Sequence, residues 1–348
     1  MVVSTTRRAL PATLMVFNKR LPCYDNKRDM TFRTFDPTRD YPAIVAIFNA
    51  NFPGFQETEN EFRYHDNYRD EKRHFARVVA QDESGVIVGF GQSAHDTHGF
   101  HPTKFTVEAH VDPARQGEGY GKALFDQVVT DLAPLQPTAL RAYTVEGTER
   151  ALRFLSDRGF VEEMSYAESW LDVAQFDTNR FPGANERVLA QGLRITTFAE
   201  LGDSDPAVRR KLYEFAQIIQ EDIPAPEPPT PVPYEIWEKR FSRSGYLPQA
   251  QFLALDGDEI VGLSALWGRE ADDHLQTGVT AISRSHRRRG IALALKLRAI
   301  AFAKAQGRPI IRTDNEVNNE GMLSINRALG FVRQPGWVGF IKELGPVT

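Results

Sequence analysis

The feature that most constrains this chain is that it repeats itself. The stretch Val111-Asp-Pro-Ala-Arg-Gln-Gly-Glu-Gly-Tyr-Gly-Lys-Ala-Leu124 returns in pattern as Ile282-Ser-Arg-Ser-His-Arg-Arg-Arg-Gly-Ile-Ala-Leu-Ala-Leu295, with Gly119 and Gly290 171 positions apart. The same 171-residue offset relates Leu140-Arg-Ala142 to Ile311-Arg-Thr313 and Asp157-Arg-Gly-Phe160 to Ala328-Leu-Gly-Phe331. Upstream, Val86-Ile-Val-Gly89 matches Glu259-Ile-Val-Gly262 at 173, a drift of two where loops differ. One period recurring at separated places marks a duplicated structural unit, and 348 residues leave room for two domains.

Both copies have the same coarse pattern. A short strand (31–35; 193–198) leads into helical sequence, then a hairpin (75–80 with 86–93; 251–255 with 259–266). A further strand (105–111; 277–282) runs into a glycine-rich turn. The helix after it is marked by Leu124, Val128 and Leu132 at i, i+4, i+8, and by Leu293, Leu297 and Ile300. Another strand, a short helix and a Gly-Phe pair close each unit, with glycine where a helix C-cap is expected. This divides the chain into a tail at 1–29, a first domain at 30–173, a linker at 174–190 around Phe181-Pro-Gly183, and a second domain at 191–348.

Composition narrows the function classes. Lys plus Arg is 42 against 46 Asp plus Glu, a net charge of −4, which argues against non-specific nucleic-acid binding. No apolar run approaches the roughly 18 residues of a membrane helix. The apolar stretch Leu10 to Phe17 follows Arg7 and Arg8 as in an export signal, but Pro11 breaks it and no small-residue cleavage site follows. A single cysteine, Cys23, excludes an intrachain disulfide framework and fits a reducing cytoplasm.

A strand feeding a glycine-rich turn that opens a helix is built for phosphate: loop N–H groups and the helix dipole converge on the anion. Spacing decides which phosphate ligand. A Walker loop fails, because Gly121-Lys122 is followed by Ala123 and position 116 is Gln. A dinucleotide fingerprint starting at Gly117 fails at Lys122. The pattern that fits both copies is Gln/Arg-x-x-Gly-x-Gly/Ala: Gln116 to Gly121 and Arg287 to Ala292, each followed 40 residues after its central glycine by Gly-Phe.

On these residues both halves resemble the GNAT N-acetyltransferase superfamily, over roughly 30–172 and 191–345. The resemblance implies an α/β (mixed α+β) fold of two tandem domains, each a mixed, mostly antiparallel sheet flanked by helices. It implies acetyl-CoA as co-substrate, held at Val111, Gln116, Gly117, Gly119 and Gly121 in the first copy. In the second it implies Ile282, Arg287, Arg288, Arg289, Gly290, Ala292 and Asn319. In this family a backbone N–H of the strand before the loop polarises the thioester carbonyl. The Asn that touches the pantetheine arm corresponds to Asn319 in the second copy and is replaced by Thr148 in the first. The usual Tyr acid is absent: its place holds Asn326, able to hydrogen-bond the sulfur, and Leu155, which cannot donate.

For a base, Glu108 and His110 share one face of the first copy's strand, where the second has Val279 and Ala281; Asp314 and Glu316 are the second copy's candidates. The basic loop and Asn319 favour the second copy as the catalytic one. The proline-rich stretch from Pro224 to Pro233, with Tyr234 and Trp237, reads either as a pocket wall or as a stiff surface loop, and Glu221 with Asp222 hints at a cationic acceptor. His95, His98 and His101 read as a surface turn rather than a metal site. The leading expectation is acetyl transfer to a small-molecule amine. The alternatives are transfer of another acyl group, or a non-catalytic CoA-binding or partner-binding pair of modules.

Overall fold

The computed structural model describes residues 30–345; the expected tail at 1–29, with Cys23, lies outside the described residues. The first half runs β1 (Thr31–Thr34), α1 (Tyr41–Asn51), α2 (Glu59–Asn67), β2 (Phe75–Gln81), β3 (Ile87–Ala94), β4 (Lys104–Val111), α3 (Tyr120–Leu132), β5 (Ala139–Val145), α4 (Glu149–Ser156) and β6 (Val161–Asp172). A short helix, α5 (Ala184–Leu189), falls inside the expected linker and buries Val188 in the core beside the second half's long helix. The second half runs β7 (Leu193–Thr197), α6 (Phe198–Leu201), α7 (Pro206–Gln220), α8 (Tyr234–Glu238), β8 (Gln251–Asp256), β9 (Glu259–Gly268), β10 (Leu275–Ile282), α9 (Ile291–Ala305), β11 (Ile310–Glu316), α10 (Glu320–Leu329) and β12 (Val332–Glu343).

The twelve strands among the described residues form one sheet, ordered β1-β2-β3-β4-β5-β12-β6-β11-β10-β9-β8-β7. The duplicated units are therefore not side by side: each contributes its last strand to the other. β12 pairs with β5 of the first half, β6 pairs with β11 of the second, and β6 and β12 pair with each other. The register obeys the duplication, since Val161↔Ile341 maps onto Trp170↔Val332 when each number is moved by the repeat offset.

Local sequence sets the element ends. Thr58 and Glu61 form a reciprocal capping box at α2, and Thr197 with Glu200 does the same at α6. Pro206 opens α7 behind the Asp205 cap, where its missing N–H is harmless. Gly159 and Gly330 sit at φ +78° and +91°, the left-handed ends the Gly-Phe pairs lead one to expect. The long helices α3 and α9 cover one face of the sheet: Leu132 and Val128 pack on Phe105 and Leu140, and Leu295 and Ala299 on Leu275 and Ile311. On the other face α1 and α2 pack around Phe90, and α7 and α8 around Leu253 and Leu263.

The arginines at the centres of the repeated Leu-Arg-Ala and Ile-Arg-Thr motifs hold the exchanged strands. Arg141 is 3% exposed and donates to Glu163 of β6 and to Glu227 of the proline-rich stretch. Arg312 is 2% exposed and donates to Glu168 of β6 at 3.0 Å. Removing one partner of a buried pair leaves an uncompensated charge, so both pairs fix the exchange. Among the described residues no helix is long and apolar enough to cross a membrane.

Candidate functional site

Two clefts open where parallel strands part. β4 and β5 are paired only from Lys104 to Thr106, and β10 and β11 only at Leu275 and Gln276; beyond those points the strands diverge. The resulting cavities have volumes of about 700 Å³ in the first half and 710 Å³ in the second. Each cleft is closed at one end by the glycine turn. Gly117 and Gly119 lie at φ +86° and +96°; Arg288 and Gly290, their counterparts, lie at +61° and +81°. The two turns therefore share one conformation, and the second tolerates an arginine where left-handed backbone favours glycine. Gln116 and Arg287 both reach back to the carbonyl that ends their strand, Val111 O at 3.3 Å and Ile282 O at 3.2 Å.

Positive charge is distributed differently in the two clefts. The second carries it on the turn, as Arg287, Arg288 and Arg289. The first, whose turn is poor in cations, draws Arg150, Arg153 and Arg158 into its lining from α4 and the turn after it. Sequence reasoning confined to the turn misses these three, although the spacing of Arg150 and Arg153 on one short helix was readable. Glu118 faces Arg115, whose Nε is 3.3 Å away. In the second cleft Asp222 lies across the turn, accepting from Arg284 at 2.9 Å and from Arg287 at 2.5 Å. Burial works to raise the Asp222 carboxyl, but the bond from Arg284 and the charge of Arg287 prevail and hold it low. The acidic pair read as a hint of a cationic acceptor is thus engaged by the turn, with Glu221 3.6 Å from Arg284. Arg289 donates to Gln191 at 2.7 Å.

The inner ends differ more. β4 pairs regularly with β3, and Glu108 lies 2.9 Å from His110 Nε2 in the first cleft. Burial works to raise Glu108, but His110, Gln92 and Arg77 outweigh it and keep it ionised. β10, by contrast, carries a bulge between Thr277 and Thr280, so Gly278 and Val279 oppose the single residue Ala265. A side chain on Gly278 would meet Trp267 Nε1 at 2.2 Å, which explains the glycine. Such bulges release backbone groups from the ladder.

In the second cleft Asn319 caps α10, accepting from Met322 N, and lines the cavity as Thr148 does in the first. Asn326, expected at the thioester sulfur, instead donates to Asn315 at 2.7 Å and is buried without lining the cleft. Glu316 is engaged by Asn318, accepting from its N and its Nδ2. Asp314 lines the cleft and is shifted upward by burial. The exchange brings in a residue that the sequence did not suggest: Tyr166 of β6, a strand of the first half, lines the second cleft. Burial, with Asp96 and Asp314 nearby, pushes its phenol up to about 12, and among the described residues the hydroxyl has only the Met164 sulfur as partner, at 2.9 Å.

The proline-rich stretch is a wall and a strut at once. Pro224 lines the second cleft, while Glu227 accepts from Lys104 and Arg141, and Thr230 N donates to His98 O. His95 accepts from His74 N, and His101 accepts from Thr103 N; among the described residues no group of three His, Cys, Asp or Glu converges as a metal site.

Comparison with known proteins bears on both halves. The model of the acetyltransferase (GNAT) family matches residues 41–160 and again 212–331. A curated relative, N-alpha-acetyltransferase 30 of Schizosaccharomyces pombe, is 28% identical over 134 residues, covering 37% of this chain and 82% of its own. Among solved structures, a tandem GNAT protein from the clavulanic acid biosynthesis pathway aligns with a TM-score of 0.69 at 17% identity, over 92% of this chain and all (100%) of its own. A GCN5-related N-acetyltransferase from Sphaerobacter thermophilus aligns at 0.66 and 19% identity, over 92% of this chain and 97% of its own. At these identities the structural likenesses speak to the fold, which they share along nearly its whole length.

Proposed function

Given that the chain belongs to the acetyltransferase (GNAT) family, acetyl-CoA-dependent acyltransferases with two tandem copies here, we propose that it acetylates the amine of a small molecule and does so in the second cleft. The observation that carries this reading is the bulge in β10 beside the arginine-rich turn. The turn supplies N–H groups and cations for the phosphates, and the bulge takes Gly278 and Val279 out of the regular ladder in the cleft where a thioester carbonyl needs stabilising. The first half has an equivalent turn but an unbroken β4.

Acetyl transfer forms a bond from the amine nitrogen to the carbonyl carbon and breaks the bond to sulfur. One proton leaves the amine and one reaches the thiolate. Tyr166 holds its proton at neutral pH and is the donor this cleft offers; Asp314, lifted by burial, is the carboxylate placed to take the amine's proton. Asn326 drops out of this role because its amide is engaged by Asn315. Ile219, Ile223 and Pro224 narrow the cleft on the α7 side, which suits a small acceptor. The name of the Schizosaccharomyces pombe relative points to an α-amine as the group acetylated.

The Glu108–His110 pair supports a second reading, with the first cleft as a further catalytic centre. Release of CoA from acetyl-CoA, followed with a panel of small amines, tests the function itself: turnover is expected, and none with any amine would leave a non-catalytic CoA-binding module.

A further inference from the structure

The second cleft contains a charge with nothing opposite it. Lys296 stands on α9 where Phe125 stands on α3, one repeat offset away, and it is 4% exposed while lining the cleft. Among the described residues its ammonium makes no hydrogen bond and no ion pair; the Phe331 ring, 5.3 Å from Nζ, faces it. Phe125 packs against Phe154 and Phe160, so the fold itself accepts an apolar side chain at this position. Burying an unpaired ammonium is costly, and packing gives no reason for it.

Asp222, Asp314 and Glu316 line the same cleft, but among the described residues none of them pairs with Lys296. β11 presents Ile311 and Thr313 to α9, and strand alternation turns Asp314 and Glu316 to the opposite face. On α10, Glu320 is paired with Arg327. The turn adds Arg287 and Arg288, His286 is engaged by Asp256, and Asp222 across the turn is held by Arg284 and Arg287. Burial alone shifts Lys296, down to about 8, so it remains mostly protonated at neutral pH. Helical side chains lean toward the N-terminus, and Lys296 follows Ala292 and Leu293, which line the cleft, by four and three residues. Lys296 therefore stands less than two helical turns beyond Gly290 on the same helix, close to a ligand held at the turn.

We propose that Lys296 is a second anion contact of this cleft, closing on a phosphate of the CoA thioester held at the turn, so that ligand binding here requires a proton on the protein. The first cleft, with Phe125, has no such requirement. This rests on the reading that the second cleft takes acetyl-CoA.

The test is calorimetric titration with CoA at pH 7 and pH 9, in a full-length chain whose first turn is blocked by Gly121→Glu. The parent is expected to bind about fivefold to tenfold more weakly at pH 9, because a group titrating near 8 is about one-tenth protonated there. Lys296→Met should weaken binding at pH 7 and remove most of the pH dependence. Lys296→Arg, charged at both values, should keep the affinity and remove the dependence. A Met variant that is folded by circular dichroism and binds with the parent's affinity and pH dependence overturns the inference and leaves the site reading standing. A parent that binds no CoA overturns both.

Discussion

Tyr166 and Trp337 occupy equivalent places in the two repeats and face each other across the β6–β12 pairing. Each belongs to the strand its half contributes to the other. Tyr166 lines the second cleft, and Trp337 packs at 5.1 Å on Phe52, which lines the first. The second cleft takes part of its lining from the first half's last strand, and the two halves share one sheet.

Beside this pair, a side chain on Gly336 would meet the carbonyl of Tyr166 at 1.9 Å. Backbone cannot give way as a flexible side chain can. Gly336→Ala should therefore destabilise the whole chain by at least about 2 kcal/mol, read as a fall in denaturant midpoint. If the halves were independent domains, melting would split into two transitions instead of shifting as one.

Tyr166→Phe removes the proposed proton donor and keeps the ring. Turnover should fall by about 10- to 100-fold with little change in KM for acetyl-CoA, and melting should be unaffected. An unchanged kcat would assign the thiolate's proton to another group.

How much of this was legible in advance follows from what each feature depends on. The turns, the helices they open and the Gly-Phe ends are local, and Gly119, Gly290, Gly159 and Gly330 announce them. The strand exchange is not local: the pattern read in each copy stops at its Gly-Phe pair, before β6 and β12, and alternation would not say which edge a strand joins. Tyr166 was hidden for that reason. The bond from Asn326 to Asn315 was not legible because helix spacing gives a residue's face but not its partner. Asp222 was read as facing a ligand because the arginines that engage it lie more than 60 residues away.

Asp222 sits on Arg284 and Arg287 where a phosphate has equal claim to them. Asp222→Asn should free both guanidinium groups and tighten CoA binding in the second cleft several-fold, measured by calorimetry at neutral pH. Weaker binding would mean that Asp222 holds the turn in its competent shape.

Glu57, between α1 and α2, is pushed up to about 7, by burial first and by Glu61 next. Its folded pKa lies above its unfolded one, so the native state binds the extra proton and stability falls as pH rises from about 4.5 to 7. Glu57→Gln should therefore be more stable than the parent at pH 8, by about 1–3 kcal/mol, and similar to it near pH 4. Thermal melts at the two pH values check the sign.

The central claim is that acetyl transfer occurs in the second cleft. Gly121 and Ala292 occupy matching positions in the first turns of α3 and α9, and a glutamate at either places a carboxylate beside the phosphate-binding N–H groups. The most direct measurement is the rate of CoA release with an accepted amine for Gly121→Glu and Ala292→Glu, side by side. The account predicts that Ala292→Glu loses turnover and Gly121→Glu retains it. Loss in Gly121→Glu with activity kept in Ala292→Glu would contradict it and move the chemistry to Glu108 and His110.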